Sequence, residues 1–108
     1  MKIAAITIFC DEHFRADAWR QYYNEYKDDL YLHVIVNNGN PEDMEYLQER
    51  FPESLVLFSP TRNMMASYNL ALQAVLKDPE VDAVAQIVND IRLSPHGFST
   101  LYGYLEDN

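Results

Sequence analysis

Four apolar segments of strand length alternate with helical segments along this chain of 108 residues, and the alternation limits the folds available to it. The predicted strands cover residues 3–9, 31–36, 55–58 and 82–88. The first, Ile3–Phe9, is a continuous apolar run rich in β-branched residues, which is typical of a strand buried on both faces of a parallel sheet. Because parallel strands need right-handed crossovers, the order βαβαβαβα predicts a mostly parallel four-stranded sheet with helices on both faces. We therefore expect an α/β fold of three layers, α/β/α, in a single domain spanning residues 1–108.

Helical periodicity fills the intervals between the strands, and capping residues mark where the helices begin. The predicted helices cover residues 16–27, 41–50, 63–77 and 95 to the end of the sequence. Asn40 is a favourable N-cap and Pro41 suits the first helical position, so a helix is preferred to a hairpin after Asn38-Gly39. Ser94 and Pro95 begin the last helix in the same way.

The charge of the chain excludes several classes of partner. Acidic residues outnumber basic residues by 17 to 8, which gives a formal net charge of −9. This charge repels nucleic acid and anionic lipid, so neither is expected as a partner. No apolar run approaches the roughly 20 residues of a membrane span, and the first run is better explained as a strand than as a signal peptide. The single cysteine, Cys10, excludes a disulfide within this sequence, and we expect a cytoplasmic protein.

Polar residues follow each predicted strand, at the edge where parallel α/β sheets bind ligands. They are Cys10, Asp11, Glu12 and His13 after the first strand; Asn37, Asn38, Gly39 and Asn40 after the second; Thr61, Arg62 and Asn63 after the third; and Asn89, Asp90 and Arg92 after the fourth. Amides bind base edges and ribose hydroxyls, and Asp90 offers the hard oxygen ligand that a divalent metal prefers. Arg62 lies at the start of a helix, where arginine and the helix dipole both favour a phosphate.

Each of these residues also has a purely structural interpretation. Asn37 and Asn38 fit a turn that leads into an N-cap, and both roles can hold together. Asp90 fits a helix cap or a solvated loop carboxylate. Arg62 fits a surface ion pair, and Cys10 fits a small residue at a strand end with no base to activate it.

Four segments of the chain form an ordered set of motifs. They are Ile3–Phe9, then Val34-Ile35-Val36-Asn37-Asn38-Gly39-Asn40, then Thr61-Arg62-Asn63 through Asn69-Leu70-Ala71, and last Ile87-Val88-Asn89-Asp90-Ile91-Arg92-Leu93-Ser94-Pro95. In this order they resemble the nucleotide-binding half of family 2 glycosyltransferases, enzymes of the GT-A fold. The family has an apolar run ending in Asp-Asn-Gly-Ser, an Asn-x-Gly leading into a helix with Asn-x-Ala, and Asp-x-Asp before a helix starting at Ser-Pro. The resemblance covers nearly all of this chain and about the first half of a typical family domain.

The chain departs from the family pattern at four positions. Asn37 stands where the family has its base-binding Asp, and Thr61 and Asn63 replace an Asn and a Gly. Val88 replaces the first Asp of Asp-x-Asp, which leaves Asp90 as the remaining carboxylate. The family continues beyond this length into an acceptor-binding half that supplies the catalytic base of inverting members, so we expect the chain alone to be inactive.

The resemblance implies the Rossmann-like, donor-binding half of a glycosyltransferase that transfers a sugar from a nucleotide-diphospho-sugar to an acceptor hydroxyl. The nucleotide-binding residues that it implies are Phe9, Asp11, Asn37, Asn38, Thr61, Arg62 and Asn89. Asp90, together with the diphosphate of the donor, would hold Mn²⁺ or Mg²⁺. No catalytic residue is assigned.

The alternative is a non-catalytic module derived from the same fold, which binds a partner or dimerises. An open sheet edge favours pairing with another chain. The first predicted helix also carries more aromatic residues than one face can bury, namely Trp19, Tyr22, Tyr23 and Tyr26. A phosphorylatable receiver domain is excluded because the third strand ends in Ser59-Pro60, with no Asp to accept phosphate.

Overall fold

The fold is a parallel sheet with helices on both faces, seen in a computed structural model that describes residues 1–10, 14–88 and 105–106. In chain order the elements are β1 (Ile3–Phe9), α1 (Phe14–Tyr26), β2 (Leu32–Asn37), α2 (Met44–Arg50), β3 (Leu55–Phe58), α3 (Met64–Leu76) and β4 (Ala83–Gln86). Short 3₁₀ turns at Lys27–Asp29 and Pro41–Asp43 precede β2 and α2.

The strand order is β3-β2-β1-β4, and every neighbouring pair is parallel. β1 therefore lies inside the sheet, with Ile6 aligned to Val34 of β2 and to Gln86 of β4. The predicted α/β class and four-stranded parallel sheet are confirmed in the described residues. The order agrees with the first four strands of a Rossmann-like, doubly wound sheet.

Two apolar clusters occupy the two faces of the sheet. On one face, Ile35 and Phe9 pack with Trp19 of α1 and Leu47 of α2. On the other face, the sheet packs against α3 through a cluster of Ala4, Ile6, Val34, Val36, Ala71 and Val75. Successive side chains of β1 point to opposite faces and both faces are covered, which explains why every residue of this strand except Thr7 is apolar.

Two aromatic residues of α1, Trp19 and Tyr23, belong to the core. Trp19 and Tyr23 are 1% and 2% exposed, and their rings stack at 5.4 Å. Phe51 packs 5.7 Å from each of them. The sequence indicated more aromatic side chains than one face of this helix can bury. Trp19 and Tyr23 are both buried, so these two residues do not contribute to an exposed aromatic surface.

The predicted element boundaries agree closely with the structure. β1 and β3 begin and end as predicted, whereas β4 covers Ala83–Gln86 instead of residues 82–88. β4 is shorter because its ladder with β1 runs from the pair Ile3 and Ala83 to the pair Ile6 and Gln86. The helix predicted from residue 95 onward lies outside the described residues, except at residues 105 and 106. No helix in the described ranges has the length and apolar character needed to cross a membrane.

Candidate functional site

The candidate site is the edge of the sheet at which the four strands end, here called the carboxyl edge. In an open parallel sheet, ligands bind where the chain changes direction across the strand order. The order β3-β2-β1-β4 places that switch point between β1 and β4. The loops after β1, β2 and β3 therefore frame the site from one side.

Asn37 closes the loop after β2 with its own side chain. It is 1% exposed, its Nδ2 donates to the carbonyl of Asn40 (2.7 Å), and its Oδ1 accepts from the N–H of Gly39 (2.9 Å). The loop then leads into the turn at Pro41, where the Asn40 side chain accepts from the N–H of Glu42, as its predicted N-cap role requires. Each polar atom of the Asn37 amide is thus engaged in fixing the loop.

Asn38 is buried beside Asn37 but is bonded differently. Its backbone N–H donates to the carbonyl of Phe9 (3.0 Å), and its Nδ2 lies 3.4 Å from Sδ of Met64. Its Oδ1 is buried and has no hydrogen-bond partner within residues 1–10, 14–88 and 105–106. A buried acceptor without a partner costs about 1–3 kcal/mol, so the position calls for an explanation.

The loop between β3 and α3 is held by side-chain hydroxyls. Ser59 and Ser67 are buried; the Ser67 hydroxyl donates to Ser59 Oγ (3.0 Å), and the Ser59 hydroxyl donates to the carbonyl of Thr61 (3.2 Å). The Thr61 hydroxyl accepts from the N–H of Asn63 (3.1 Å), and the Asn63 side chain caps α3 by accepting from the N–H groups of Met65 and Ala66. Thr61 is exposed, yet its polar groups serve the loop.

Arg62 extends from this loop toward the centre of the sheet. Its Nη1 lies 3.5 Å from Sγ of Cys10, the residue that follows β1. Because β2 lies between β3 and β1, the exposed guanidinium reaches past one strand end to the next. A positive charge is thereby placed beside the switch point in a chain whose net charge is −9.

The remaining predicted residues divide into one that is buried and three that are not described. Phe9 is 1% exposed, its ring packs against Trp19 and Phe51, and its carbonyl holds Asn38. Phe9 thus faces the core and contributes its backbone to the edge. Asp11, Asn89 and Asp90 lie outside the described residues.

A metal centre is not assembled by the residues that the structure describes. Within those ranges, no three His, Cys, Asp or Glu side chains come together in a way that could hold a metal ion. Asp90 lies beyond these ranges, so the predicted Mn²⁺ or Mg²⁺ site stays a prediction.

A buried polar network that the sequence did not indicate lies under α1. The His33 ring bonds to Thr7 Oγ1 through Nε2 (3.1 Å) and to Ser54 Oγ through Nδ1 (3.0 Å). The ring stacks on Tyr23, with centroids 4.7 Å apart. Burial lowers the pKa of His33 from 6.5 to about 3, and the Arg20 charge acts in the same direction. His33 is therefore a neutral core residue, and its place near the start of β2 separates it from the carboxyl edge.

An apolar cavity of about 230 Å³ lies next to the carboxyl edge on the α3 face. It is lined by Ile8, Met64, Met65, Tyr68, Asn69 and Gln86. Ile8 belongs to β1 and Gln86 to β4, so the cavity opens beside the switch point. Met64 and Met65 are 51% and 72% exposed, so these two methionines line the cavity from the surface of α3 and not from the core.

Comparison with known proteins gives no family assignment. A scan of the chain against protein-family models finds no match, and a search of curated proteins finds no significant match.

Proposed function

We propose that the carboxyl edge binds a nucleotide-diphospho-sugar and that the chain is the donor-binding part of a glycosyltransferase. The reaction is transfer of the sugar to an acceptor hydroxyl. The observation that carries the proposal is the position of the Arg62 guanidinium beside the end of β1, at the same edge where Asn38 has a buried side-chain oxygen with no hydrogen-bond partner among the described residues. The motif order described above supports the same class of ligand.

Arg62 is the group proposed to bind the diphosphate. Guanidinium groups form charge-assisted, bidentate hydrogen bonds with phosphate oxygens. The residue directly precedes the N-cap of α3, so the positive end of that helix dipole acts on the same region. A local cation is needed here because the acidic chain as a whole repels a nucleotide.

Asn38 is proposed to accept a hydrogen bond from the base or the ribose. Its Oδ1 has no partner among the residues that the structure describes, so a ligand N–H or O–H gains a bond there without displacing one that these residues make. The same amide contacts Met64 through Nδ2, and the Met64 side chain is half exposed and has several rotatable bonds, so it can adapt to a ligand. Asn37 keeps the loop closed and so holds Asn38 in place.

The divalent metal is part of the proposal through Asp90 and the donor diphosphate. When bound, Mn²⁺ or Mg²⁺ neutralises charge on the leaving diphosphate. Asp11 and Asn89 complete the proposed set, since they follow β1 and β4 on the two sides of the switch point.

The test is an amide NMR titration of the chain with UDP and then GDP, each with and without Mg²⁺. We expect shifts at Cys10, Asn38 and Arg62 that strengthen with Mg²⁺. Replacing Asp90 with Asn should remove the metal dependence, whereas the matched change Asp28→Asn, on the exposed turn before β2, should preserve it. Absence of shifts at the carboxyl edge with saturating nucleotide and metal would refute the proposed function.

A further inference from the structure

The third helix differs from the rest of the chain in carrying no charge. α3, Met64–Leu76, has 13 residues and contains no Asp, Glu, Lys, Arg or His. β4, Ala83–Gln86, is also uncharged. By contrast, 23% of the whole sequence is charged, and α1 and α2 contain both acidic and basic residues.

The uncharged helix α3 is only partly buried. Its inner ridge, Ser67, Ala71 and Val75, is buried against the sheet. Its outer ridge is open to solvent, with Met65 72% and Leu76 69% exposed. Between these two, Asn69 and Gln73 are also exposed and continue the ridge at helical spacing.

The outer ridge of α3 lies next to the edge of the sheet that β4 forms. Met65 and Asn69 line the cavity that also includes Gln86 of β4, so the flank of α3 faces β4. Among the described residues, β4 has β1 as a strand neighbour on one side and no strand on the other. We call the surface formed by the outer ridge of α3 and by β4 the neutral face. It combines exposed apolar side chains with an open strand edge, a combination that proteins usually cover.

We propose that the neutral face is the contact surface between two copies of this chain. Depletion of charged residues with enrichment of methionine is the composition of a protein interface core. A nucleic acid or an anionic membrane would require basic residues, and α3 and β4 contain none. A strongly basic partner would require acidic residues, which are equally absent from these two elements.

A second copy of this chain fits an uncharged surface that carries exposed apolar side chains. The same patch meets itself across a two-fold axis, so each copy offers the other a neutral, methionine-bearing surface. Charged residues of α1 and α2 then lie on the far side of the sheet from α3, which keeps them apart although each chain carries a net charge of −9. Two β4 edges brought together would also pair the backbone groups on the side of each strand that has no strand neighbour among the described residues.

The experiment measures oligomeric state across micromolar concentrations by sedimentation equilibrium, in reducing buffer so that Cys10 cannot cross-link two copies. We expect a monomer–dimer equilibrium for the unmodified chain. Gln73→Glu should raise the dissociation constant roughly tenfold, because the two-fold axis places two buried carboxylates at one interface. Leu76→Glu should act in the same direction.

The matched control is Gln48→Glu, an exposed position on α2 with the same change in charge. It should leave the dissociation constant unchanged. A monomer at every concentration, or an equal effect of Gln48→Glu, would overturn the proposal. Nucleotide titration of Gln73→Glu separates this result from the proposed function, since Gln73 lies more than two turns from the start of α3.

Discussion

The guanidinium of Arg62 spans the end of β2, so that its Nη1 lies 3.5 Å from Sγ of Cys10 at the end of β1. The two residues belong to loops that are separated by one strand. A hydrogen-bond chain from the Ser67 hydroxyl to Ser59 Oγ, and from the Ser59 hydroxyl to the carbonyl of Thr61, fixes the loop from which Arg62 extends. The positive charge at the switch point therefore depends on the geometry of the β3–α3 loop as well as on the arginine.

Replacing Arg62 with Gln is expected to weaken nucleotide diphosphate binding roughly 10- to 100-fold, because a hydrogen bond to a charged group contributes about 1.5–3 kcal/mol. The melting temperature should change little, since the side chain is exposed. Isothermal titration calorimetry with UDP and Mg²⁺ measures the affinity. Lys77→Gln, beyond the opposite end of α3, is the matched control and should bind as the unmodified chain does.

Neighbouring asparagines should respond in opposite ways to the same substitution. Asn37→Leu removes two hydrogen bonds and leaves the Gly39 N–H and the Asn40 carbonyl without that partner, which should lower the free energy of unfolding by about 1–3 kcal/mol. Asn38→Leu removes a buried acceptor that has no partner among the described residues, and with it only a weak N–H···S contact to Met64, so the free energy of unfolding should stay the same or rise. Urea denaturation measures both. Equal destabilisation by the two changes would show that the Asn38 oxygen is satisfied in solution.

The cap of α3 can be tested within a single helix. Asn63→Ala removes the acceptor of the Met65 and Ala66 N–H groups and should lower the free energy of unfolding by about 1 kcal/mol. Asn69→Ala, at an exposed position inside the same helix, should leave it unchanged or slightly raised because alanine has the higher helix propensity. Thermal denaturation followed by circular dichroism compares the two. A similar effect of both changes would argue against capping by Asn63.

Stability should fall in mild acid because of His33. Its pKa is about 3 in the folded chain and 6.5 ordinarily, so between these values the unfolded chain binds a proton that the folded chain does not. The free energy of unfolding contributed by this group is therefore complete above pH 6.5 and is lost toward pH 3, by up to about 1.4 kcal/mol per pH unit. Lowered pKa values of the Asp78 and Glu80 carboxyls add a further loss at lower pH.

Imidazole NMR signals separate His33 from the carboxylates. The His33 ring should remain neutral at pH 5 in the folded chain, with no chemical-shift change through pH 6.5. A titration of His33 near its ordinary pKa would contradict the buried network of Thr7, His33 and Ser54.

The main architecture was predictable because hydrophobic period and capping are local signals. The continuous apolar run of Ile3–Phe9 predicts a strand that is covered on both faces. Asn63 lies at the start of α3, as predicted. Boundaries that depend on a neighbour were less accurate. β4 ends where its ladder with β1 ends, and nothing within its own sequence encodes that length.

The site was predictable as a region but not as a set of bonds. The loop order indicated that Asn37, Asn38 and Arg62 lie at one edge, and the structure places them there. Asn37 bonds to the loop, whereas the Asn38 oxygen lacks a partner among the described residues. This difference depends on the direction of the backbone after β2, which the amino-acid composition does not reveal. The contact of Arg62 with Cys10 depends on the order of the strands in the sheet. Phe9 of β1 and Leu55 of β3 are 46 positions apart in the sequence, so no local pattern predicts this contact.

The interior position of β1 has a consequence for synthesis on the ribosome. The backbone N–H of Lys2, just before β1, donates to the carboxylate of Asp82, which is 80 positions later in the sequence and just before β4. Translation proceeds at about 5–20 residues per second, so the apolar β1 waits several seconds with one edge exposed after β2 has emerged. During that interval the nascent chain exposes a hydrophobic strand, because β4, which pairs with it, has not yet been synthesised. Slower codons between β2 and β4 would lengthen this exposure and increase the demand for chaperones that bind extended apolar segments.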